Sequence, residues 1–363
     1  MKTAPKNLVL RFLASVGRPA EAQLYLSLFR AERPESFAVI VVDADIAGVA
    51  ADALAVDLEF LAELGLSPIL AFESADQAEQ MATWLGPASR AEVVPGALAP
   101  EVARRGGIAL APIHADGHGD RELIALCRAV ATRKVILLDI GGALARSGDP
   151  VSIVDVTTEW DDLAAPGVLS PEHRAVLHRA RALLDGADHP MTVAITSPLD
   201  LLRELFTVRG AGTLVRRGAA VSVHQGLKGV DRSRLKTLIE SAFDRPLAPD
   251  YLDRPIERTY LAGDYRGAAI IAPTTEGPYL SKLAASAPAR GEGIGRDLWR
   301  VLCRDYPAFY WRSRPENPIA PWYQEQCHGM IKAGPWHIYW RGLPENRIAA
   351  ATRIAREAPP DFE

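Results

Sequence analysis

Three glycines at alternating positions, Gly291, Gly293 and Gly295, stand just before a stretch with the apolar spacing of a helix. Glycine tolerates φ > 0, and its bare N–H groups can face an anion at the positive end of a helix dipole. With Arg290 and Arg296 on either side, these residues predict a turn that binds pyrophosphate. A turn with a purely structural role is the alternative for the same residues.

Two arginines alternate in the aromatic stretch that follows, Phe309 to Arg314. Alternation is typical of a β-strand, so the side chains of Arg312 and Arg314 should share one face at about 7 Å, the rise of two residues. Arginine holds carboxylates in a planar fork, and a fixed pair beside an anion-binding turn predicts a small acidic substrate next to a phosphorylated cofactor. The aromatic neighbours favour an interior position for both arginines, and a solvated surface position is the alternative.

A strand, an R-G-x-G-x-G turn, a helix and a further strand follow one another between residues 279 and 314. This order resembles the acetyl-CoA site of the GNAT acetyltransferases. The ordered blocks YLSK, GEGIGRDLW, FYWRSR, NPIAPWY, GPWHIYWRGL and PPDF resemble the acetyltransferase domain of the vertebrate-type N-acetylglutamate synthases and the bacterial bifunctional synthase/kinases. The resemblance implies one-step transfer of acetyl from acetyl-CoA to the α-amino group of L-glutamate, which begins arginine biosynthesis.

The resemblance also implies roles for single residues. It implies acetyl-CoA contacts at Ala284, Arg290, Gly291, Gly293, Gly295 and Arg296, and acceptor contacts at Arg245, Lys282, Leu283, Arg312 and Arg314. Tyr323 is the expected general acid for the departing thiolate, and Asn317 is expected to orient the amine or the carbonyl. Aromatic packing beside Trp322 is the alternative for Tyr323. Leu283 stands where relatives carry an aromatic residue, which keeps another small amino acid open as the acceptor.

Apolar runs and helical patterns alternate over the first 217 residues. The patterns predict strands at 37–42, 68–72, 107–112 and 134–140, and helices at 7–30, 54–61, 120–131 and 171–184. Continuous apolar strands between helices are typical of a parallel sheet that is covered on both faces. The blocks FAVIVVDADI, KVILLDIGGAL and LLRELFTVRGAGTLVRRG resemble the amino-acid kinase fold of the acetylglutamate kinases.

The kinase-like region departs from that family where phosphate would bind. Asp43 and Asp45 follow the first strand in place of a glycine pair, and Glu73 and Asp76 follow the second in place of a glycine-rich turn. Glycines there bring N–H groups onto phosphate, whereas each carboxylate repels it at a cost on the order of 1 kcal/mol. We therefore expect the kinase fold without kinase activity.

The remaining residues predict a smaller second domain. Gly218 to Lys228 is expected to be a short connection, a helix begins after the capping Asp231, and residues 260–262 and 268–271 form a hairpin. The predicted fold class is α/β. An amino-acid kinase-like parallel-sheet sandwich at 1–218 precedes a GNAT-type acetyltransferase domain with a mostly antiparallel sheet at 219–363.

Composition argues against several other classes of protein. The 363 residues are 48% hydrophobic and 24% charged with a net charge of −4, which gives no reason to expect nucleic-acid binding. No apolar run approaches membrane length, and three scattered cysteines fit a reducing, cytoplasmic location. His114, Asp116, His118 and Asp120 follow no closed zinc pattern, so no metal is expected.

Three hypotheses for the function follow from these patterns. The first is an N-acetylglutamate synthase-like acetyltransferase that acts on L-glutamate, and the second is an acetyltransferase for another small amino acid. The third is a non-catalytic regulatory or scaffold protein that binds an amino acid or a partner enzyme. A kinase-like domain without its chemistry favours a role in holding a homo-oligomer together, and the resemblance implies a tetramer.

Overall fold

A computed structural model describes residues 19–113, 119–207, 210–286, 289 and 292–363. The chain divides into two compact units, Met1–Gly218 and Ala219–Glu363. Each unit has its own central sheet and its own apolar core. Within the described ranges, no helix is both long enough and apolar enough to cross a membrane.

The first unit is built on an eight-stranded sheet. The described strands of the first unit are β1 (Val39–Val42), β2 (Ile69–Phe72), β3 (Glu92–Val93), β4 (Ala109–Pro112), β5 (Lys134–Leu138), β6 (Ala145–Arg146), β7 (Asp149–Pro150), β8 (Ile153–Asp155), β9 (Thr192–Thr196) and β10 (Thr213–Arg216). The sheet order is β3-β4-β2-β1-β5-β9-β10-β8, and β6 and β7 form a separate hairpin. Neighbouring strands of the large sheet are parallel except β9 and β10.

Helices cover both faces of this sheet. They are α1 (Pro19–Ala31), α2 (Ala44–Val49), α3 (Ala51–Glu63), α4 (Ala75–Trp84), α5 (Ala99–Arg104), α6 (Gly119–Val130), α7 (Trp160–Leu163), α8 (Pro171–Gly186) and α9 (Leu201–Phe206). Successive side chains of β1 enter different cores, because side chains alternate across a strand. Val39 and Val41 pack in one apolar cluster, and Ile40 and Val42 pack in the other.

The second unit has a seven-stranded sheet. Its described elements are β11 (Val221–Gln225), α10 (Arg232–Phe243), β12 (Arg258–Ala262), β13 (Gly267–Ala272), β14 (Tyr279–Ala285), α11 (Ile294–Asp305), β15 (Phe309–Ser313), α12 (Ala320–Gln326), β16 (Gly329–Ala333), β17 (Trp336–Arg341) and α13 (Glu345–Glu357). The strand order is β11-β12-β13-β14-β15-β17-β16. All neighbours are antiparallel except β14 and β15, which are parallel.

The helix α11 packs closely on β13, and a glycine makes this approach possible. A Cβ atom added to Gly267 would lie 2.5 Å from Cγ2 of Ile294 and 3.0 Å from Cδ1 of Leu298. Leu298 and Leu302 form the buried stripe of α11, as their spacing predicts. The position of the helix start is therefore fixed by contact with the sheet.

The sequence predicts most of these elements correctly, including the parallel sheet followed by a mostly antiparallel one. One expectation is wrong, because the stretch expected to connect the units contains β11, an edge strand of the second sheet. The helix expected at 7–30 is described from Pro19 onward. The polar stretch His114–His118 lies outside the described residues, and Asp120 belongs to the first turn of α6.

Candidate active site

The strands β14 and β15 separate in the middle of the second sheet. Their parallel pairing joins Tyr279 to Tyr310 and Leu280 to Trp311, and then it ends. β14 nevertheless continues to Ala285, and β15 also runs on beyond the last pair. Paired strands lie about 4.8 Å apart, so the loss of pairing leaves an opening between two neighbours. Backbone polar groups along this opening can serve an extended ligand.

A β-bulge lies at the start of the opening. The register of β14 against β13 shifts by one residue, so that Ser281 is an extra residue in β14. A bulge bends its strand and changes the face that the next side chains take. Leu280 packs in the aromatic core on one face of the sheet, whereas the Lys282 ammonium lies over the ring of Tyr251 on the other face.

A glycine turn precedes α11. The backbone of Gly293 is left-handed, with φ of 77°, and its carbonyl accepts hydrogen bonds from the N–H groups of Arg296 and Asp297 at 3.0 and 3.1 Å. A Cβ added at Gly295 would meet no atom within 4 Å. A turn of this kind at the positive end of a 12-residue helix suits an anion such as pyrophosphate.

Two carboxylates hold the glycine turn in place. Glu292 accepts a charge-assisted hydrogen bond from Arg266, which lies in the turn between β12 and β13. Asp297, in the first turn of α11, is buried and accepts a hydrogen bond of 2.8 Å from the N–H of Ala219. The turn is thus fixed before any ligand arrives.

An aromatic cluster covers one face of the opening. The ring of Tyr323 lies 5.5 Å from that of Trp311 and 5.6 Å from that of Tyr339, and the rings of Trp311 and Tyr339 stack at 5.4 Å. The Nε1–H group of Trp311 is buried and has no hydrogen-bond partner among the described residues. A buried donor of this kind next to the last strand pair fits a polar ligand group within the opening.

Tyr323 is almost fully enclosed by this cluster. Its residue is 5% exposed, and burial raises the pKa of its phenol above the usual value near 10. The phenol is therefore protonated throughout the neutral range and holds a proton that a leaving thiolate can take. The same geometry also fits the alternative of aromatic packing.

Lys282 lies on the opposite face and is 3% exposed. Its ammonium donates hydrogen bonds to the Asp361 carboxylate and to the carbonyl of Ser281. The rings of Tyr251 and Phe362 lie 4.5 and 5.0 Å from the ammonium nitrogen. Burial lowers the pKa of Lys282 to about 8, and the carboxylate of Asp361 opposes this change.

Arg312 binds backbone carbonyls at the C-terminal end of α13 and just beyond it. Its guanidinium donates to the carbonyls of Ala355, Ala358 and Pro359 at 2.7, 3.0 and 3.0 Å. It also lies 4.2 Å from the centre of the Trp336 ring. Arg312 therefore caps the C-terminal end of a helix, which the sequence did not indicate.

Arg314 and Arg245 are both exposed. Arg314 shares a face with Arg312, because its guanidinium lies 4.1 Å from the Trp336 ring centre. The expectation that Arg314 lies in the interior is wrong, although Ser313 beside it is buried. The guanidinium of Arg245 donates to the backbone oxygen of Glu363 and lies 5.5 Å from the ring of Phe362.

The other predicted site residues lie on β14, before α12, in α11 or outside the described residues. Leu283 is half-buried against the aromatic core, and Ala284 is buried opposite Ala268 of β13. Asn317 accepts a hydrogen bond of 3.2 Å from the N–H of Ile319 at the start of α12. Arg296 is exposed in the first turn of α11, and Arg290 and Gly291 lie outside the described residues.

The sequence did not predict the role of the segment that contains Asp361. Asp361 pairs with both Lys282 and Arg254. The Trp336 ring contacts Arg312 of β15 and Arg314 just after that strand. One signal for Asp361 was present in the sequence, because a lysine in an apolar strand requires a counterion. The block PPDF, residues 359–362, contributes to the resemblance to the synthase family, but it does not indicate that Asp361 pairs with Lys282.

A known family model matches the part of the chain that contains this site. Residues 222–356 match the family model NAT, described as the N-acetyltransferase of N-acetylglutamate synthase. The resemblance read from the sequence blocks is thereby confirmed for this NAT region. The matched residues include the opening between β14 and β15, the glycine turn and Lys282. Asp361 and Phe362, which contact Lys282, lie beyond the matched range.

The chain is similar to proteins of two kinds. Acetylglutamate kinase of Xanthomonas campestris pv. campestris is 37% identical over 213 residues, which cover 56% of this chain and 50% of that protein. Mitochondrial N-acetylglutamate synthase of Danio rerio is 31% identical over 222 residues, which cover 59% of this chain and 42% of that protein. The chain spans about half the length of the curated relatives that it matches.

The fold is similar to that of a solved synthase. N-acetylglutamate synthase from Neisseria gonorrhoeae, crystallised with coenzyme A and L-arginine, superposes with a TM-score of 0.53 at 18% identity. The match covers 89% of this chain and 98% of that chain. The predicted fold class, a kinase-like sheet followed by a GNAT-type sheet, is confirmed at the level of the fold.

Proposed function

We propose that the second unit transfers an acetyl group from acetyl-CoA to the α-amino group of L-glutamate. The observation that carries the proposal is the opening between β14 and β15. A glycine turn at a helix N-terminus follows β14, an aromatic cluster with Tyr323 lies on one face of the sheet, and Lys282 and Arg312 lie on the other face. A thioester lying in the opening would have its phosphates near the turn and an acidic acceptor near the cations.

Direct transfer needs few protein groups. The neutral amine nitrogen attacks the thioester carbonyl carbon, the new C–N bond forms, and the C–S bond breaks. The nitrogen loses a proton to water, and the departing thiolate takes one from the Tyr323 hydroxyl, which water then reprotonates. The Nε1–H group of Trp311 is a further buried donor on this face. Positioning of the two substrates supplies most of the acceleration in this scheme.

We propose that the first unit, residues 1–218, serves as a scaffold and does not transfer phosphate. Asp43 follows β1 and pairs with Arg179 of α8 at 3.0 Å, and the same guanidinium pairs with Asp120 at 3.0 Å. Glu73 follows β2 at the same edge of the parallel sheet. Carboxylates at this edge disfavour a nucleotide phosphate. The scaffold role would be in a homo-oligomer, a tetramer by resemblance to the synthase family.

The free thiols of the described cysteines fit a reducing compartment, and a cytoplasmic location is part of the proposal. An acceptor other than glutamate is the second candidate. Two observations favour it: Leu283 forms part of the apolar wall, and Lys282 and Arg312 are already engaged within the protein.

The deciding experiment measures thiol release from acetyl-CoA by the purified chain with glutamate, aspartate, glutamine or no acceptor. Preferential turnover with glutamate, and a product with the mass of N-acetylglutamate, would establish the proposal. Turnover with another amino acid would assign the site to that acceptor. Absence of turnover with all acceptors, beside measurable acetyl-CoA binding, would favour the regulatory role.

A further inference from the structure

We propose that Asp361 is a specificity-determining residue, which occupies the place of the acceptor's side-chain carboxylate on Lys282 and is displaced when glutamate binds. The inference rests on the proposed function and deepens it. It concerns how one acidic amino acid is distinguished from its uncharged amide.

Four cationic side chains from separate elements converge on one short segment, residues 355–363. Lys282 of β14 and Arg254 bind the carboxylate of Asp361. Arg312 of β15 binds three carbonyls between Ala355 and Pro359, and Arg245 binds the carbonyl of Glu363. Lys282 and Arg312 are each close to the end of the pairing between β14 and β15, so the segment lies beside the opening.

Lys282 cannot bind a second carboxylate while Asp361 is in place. Its ammonium is enclosed by the Asp361 carboxylate, the carbonyl of Ser281 and the rings of Tyr251 and Phe362, and only 3% of the residue is exposed. An acceptor carboxylate at the same nitrogen would also lie against the negative charge of Asp361. Binding of glutamate to Lys282 therefore requires exchange of one carboxylate for the other.

The Asp361 carboxylate is suited to such an exchange because its own ion pairs are with charged groups near which an acidic acceptor would lie. Residues 358–363 are all exposed or half-buried. Pro359 and Pro360 have no N–H group to donate. Among the described backbone contacts, the carbonyl of Asp361 accepts from Ala248 at 3.0 Å, and the N–H of Glu363 donates to Pro246 at 3.1 Å. Arg254 also donates to the carbonyl of Pro360 at 2.8 Å, and the ring of Phe362 packs in an apolar cluster, 5.0 Å from the ring of Phe243. The apolar contact can keep the segment attached while the Asp361 carboxylate leaves Lys282.

This arrangement selects for charge. A buried ammonium that loses Asp361 needs another anion at once. Glutamate brings a carboxylate of the same kind, whereas glutamine brings a neutral amide of nearly the same shape. An acceptor without the second carboxylate therefore cannot replace Asp361, which explains how the site would reject it.

The first test is the steady-state kinetics of Asp361→Asn. Removing the competing charge should lower KM for glutamate about tenfold, the size of one charge-assisted contact, and leave KM for glutamine nearly unchanged. Asp250→Asn is the matched control, because Asp250 also pairs with Arg254 but is 68% exposed, whereas the ion pair with Lys282 is made by Asp361. A raised KM for glutamate in Asp361→Asn would overturn the inference, since Asp361 would then be a fixed part of the bound site.

The second test uses the unaltered chain and does not depend on the variant folding. Hydrogen exchange at the amides of Glu363 and Ala248 should become faster when glutamate is added, and should not change with glutamine. Slower or unchanged exchange while glutamate binds overturns the displacement and leaves the proposed function intact. Faster exchange without acetyl transfer supports the displacement and refutes the proposed function, and failure of glutamate to bind refutes both.

Discussion

Gly267→Ala should weaken acetyl-CoA binding, although Gly267 lies in β13 and not in the glycine turn. The new methyl carbon would lie 2.5 Å from Cγ2 of Ile294, 3.0 Å from Cδ1 of Leu298 and 3.2 Å from the carbonyl oxygen of Ala284. Ile294 is β-branched and has one strongly preferred rotamer in a helix, so its methyl group cannot turn aside. The start of α11 must therefore move away from the sheet.

The size of the effect follows from these contacts. Adding one methyl group to a filled core costs about 1–3 kcal/mol, which should lower the Tm of the second unit by roughly 2–4 °C per kcal/mol. The shift also moves the N–H groups after Gly293, and a lost hydrogen bond to a charged group is worth about 1.5–3 kcal/mol. Partial loss of one such bond should raise KM for acetyl-CoA about tenfold, with a smaller change in kcat.

Thiol-release kinetics at saturating glutamate, together with a thermal unfolding scan, measure both effects. Gly48→Ala is the matched control, because Gly48 lies within α2 of the first unit and a Cβ there would meet no atom within 4 Å. That variant should keep the KM and be unchanged or slightly stabilised, since alanine favours a helix over glycine. An unaltered KM and Tm in Gly267→Ala would refute the close contact between α11 and β13 as the basis of the turn's position.

Three shorter predictions concern the faces of the opening. Tyr323→Phe should lower kcat by about 10²-fold or more with little change in KM for acetyl-CoA; an unchanged kcat would leave Tyr323 with packing alone. Arg314→Ala should raise KM for the acceptor about tenfold without loss of folding, because Arg314 is exposed; equal KM values would exclude it from acceptor binding. Burial lowers the pKa of Lys282 from 10.5 to about 8, so between these values the unfolded chain holds a proton that the folded chain has lost. The unfolding free energy should thus rise by up to about 1.4 kcal/mol per pH unit between these two pKa values, and denaturant titrations of Lys282→Met at several pH values should lack this rise. The same dependence of unfolding free energy on pH in both proteins would contradict the prediction.

The strand β14, the glycine turn and the helix α11 could be predicted because each leaves a local signal in the sequence. Gly293 marks the left-handed turn, and Leu298 and Leu302 mark the buried helical stripe. The edge strand β11 was mistaken for a connection because its side chains are half-buried or exposed, which leaves little apolar alternation to detect. Edge strands depend on a neighbour for their existence more than on their own composition.

The partners of the cations could not be predicted, because they depend on how distant segments return to the sheet. Arg312 was expected to bind a substrate carboxylate, and its donors are directed at carbonyls at the C-terminal end of α13, whose position is set by tertiary packing. Lys282 clearly required a counterion, yet the sequence offers 45 acidic residues and no rule that selects Asp361. Local patterns thus indicate which side chains carry charge and leave open where each charge is neutralised.

The extra residue in β14 constrains how this gene can change. With Ser281 paired in a regular strand, Leu280 and Lys282 would share a face, and the bulge at Ser281 sets them on opposite faces. Loss of that single codon would leave Leu280 and Lys282 adjacent and opposite Ile271 and Ile270, so each would keep its face, but the strand would lose the bend that the bulge gives it. Substitutions between residues 279 and 285 can therefore leave this geometry intact, whereas loss of Ser281 would straighten β14 at the point where its pairing with β15 ends.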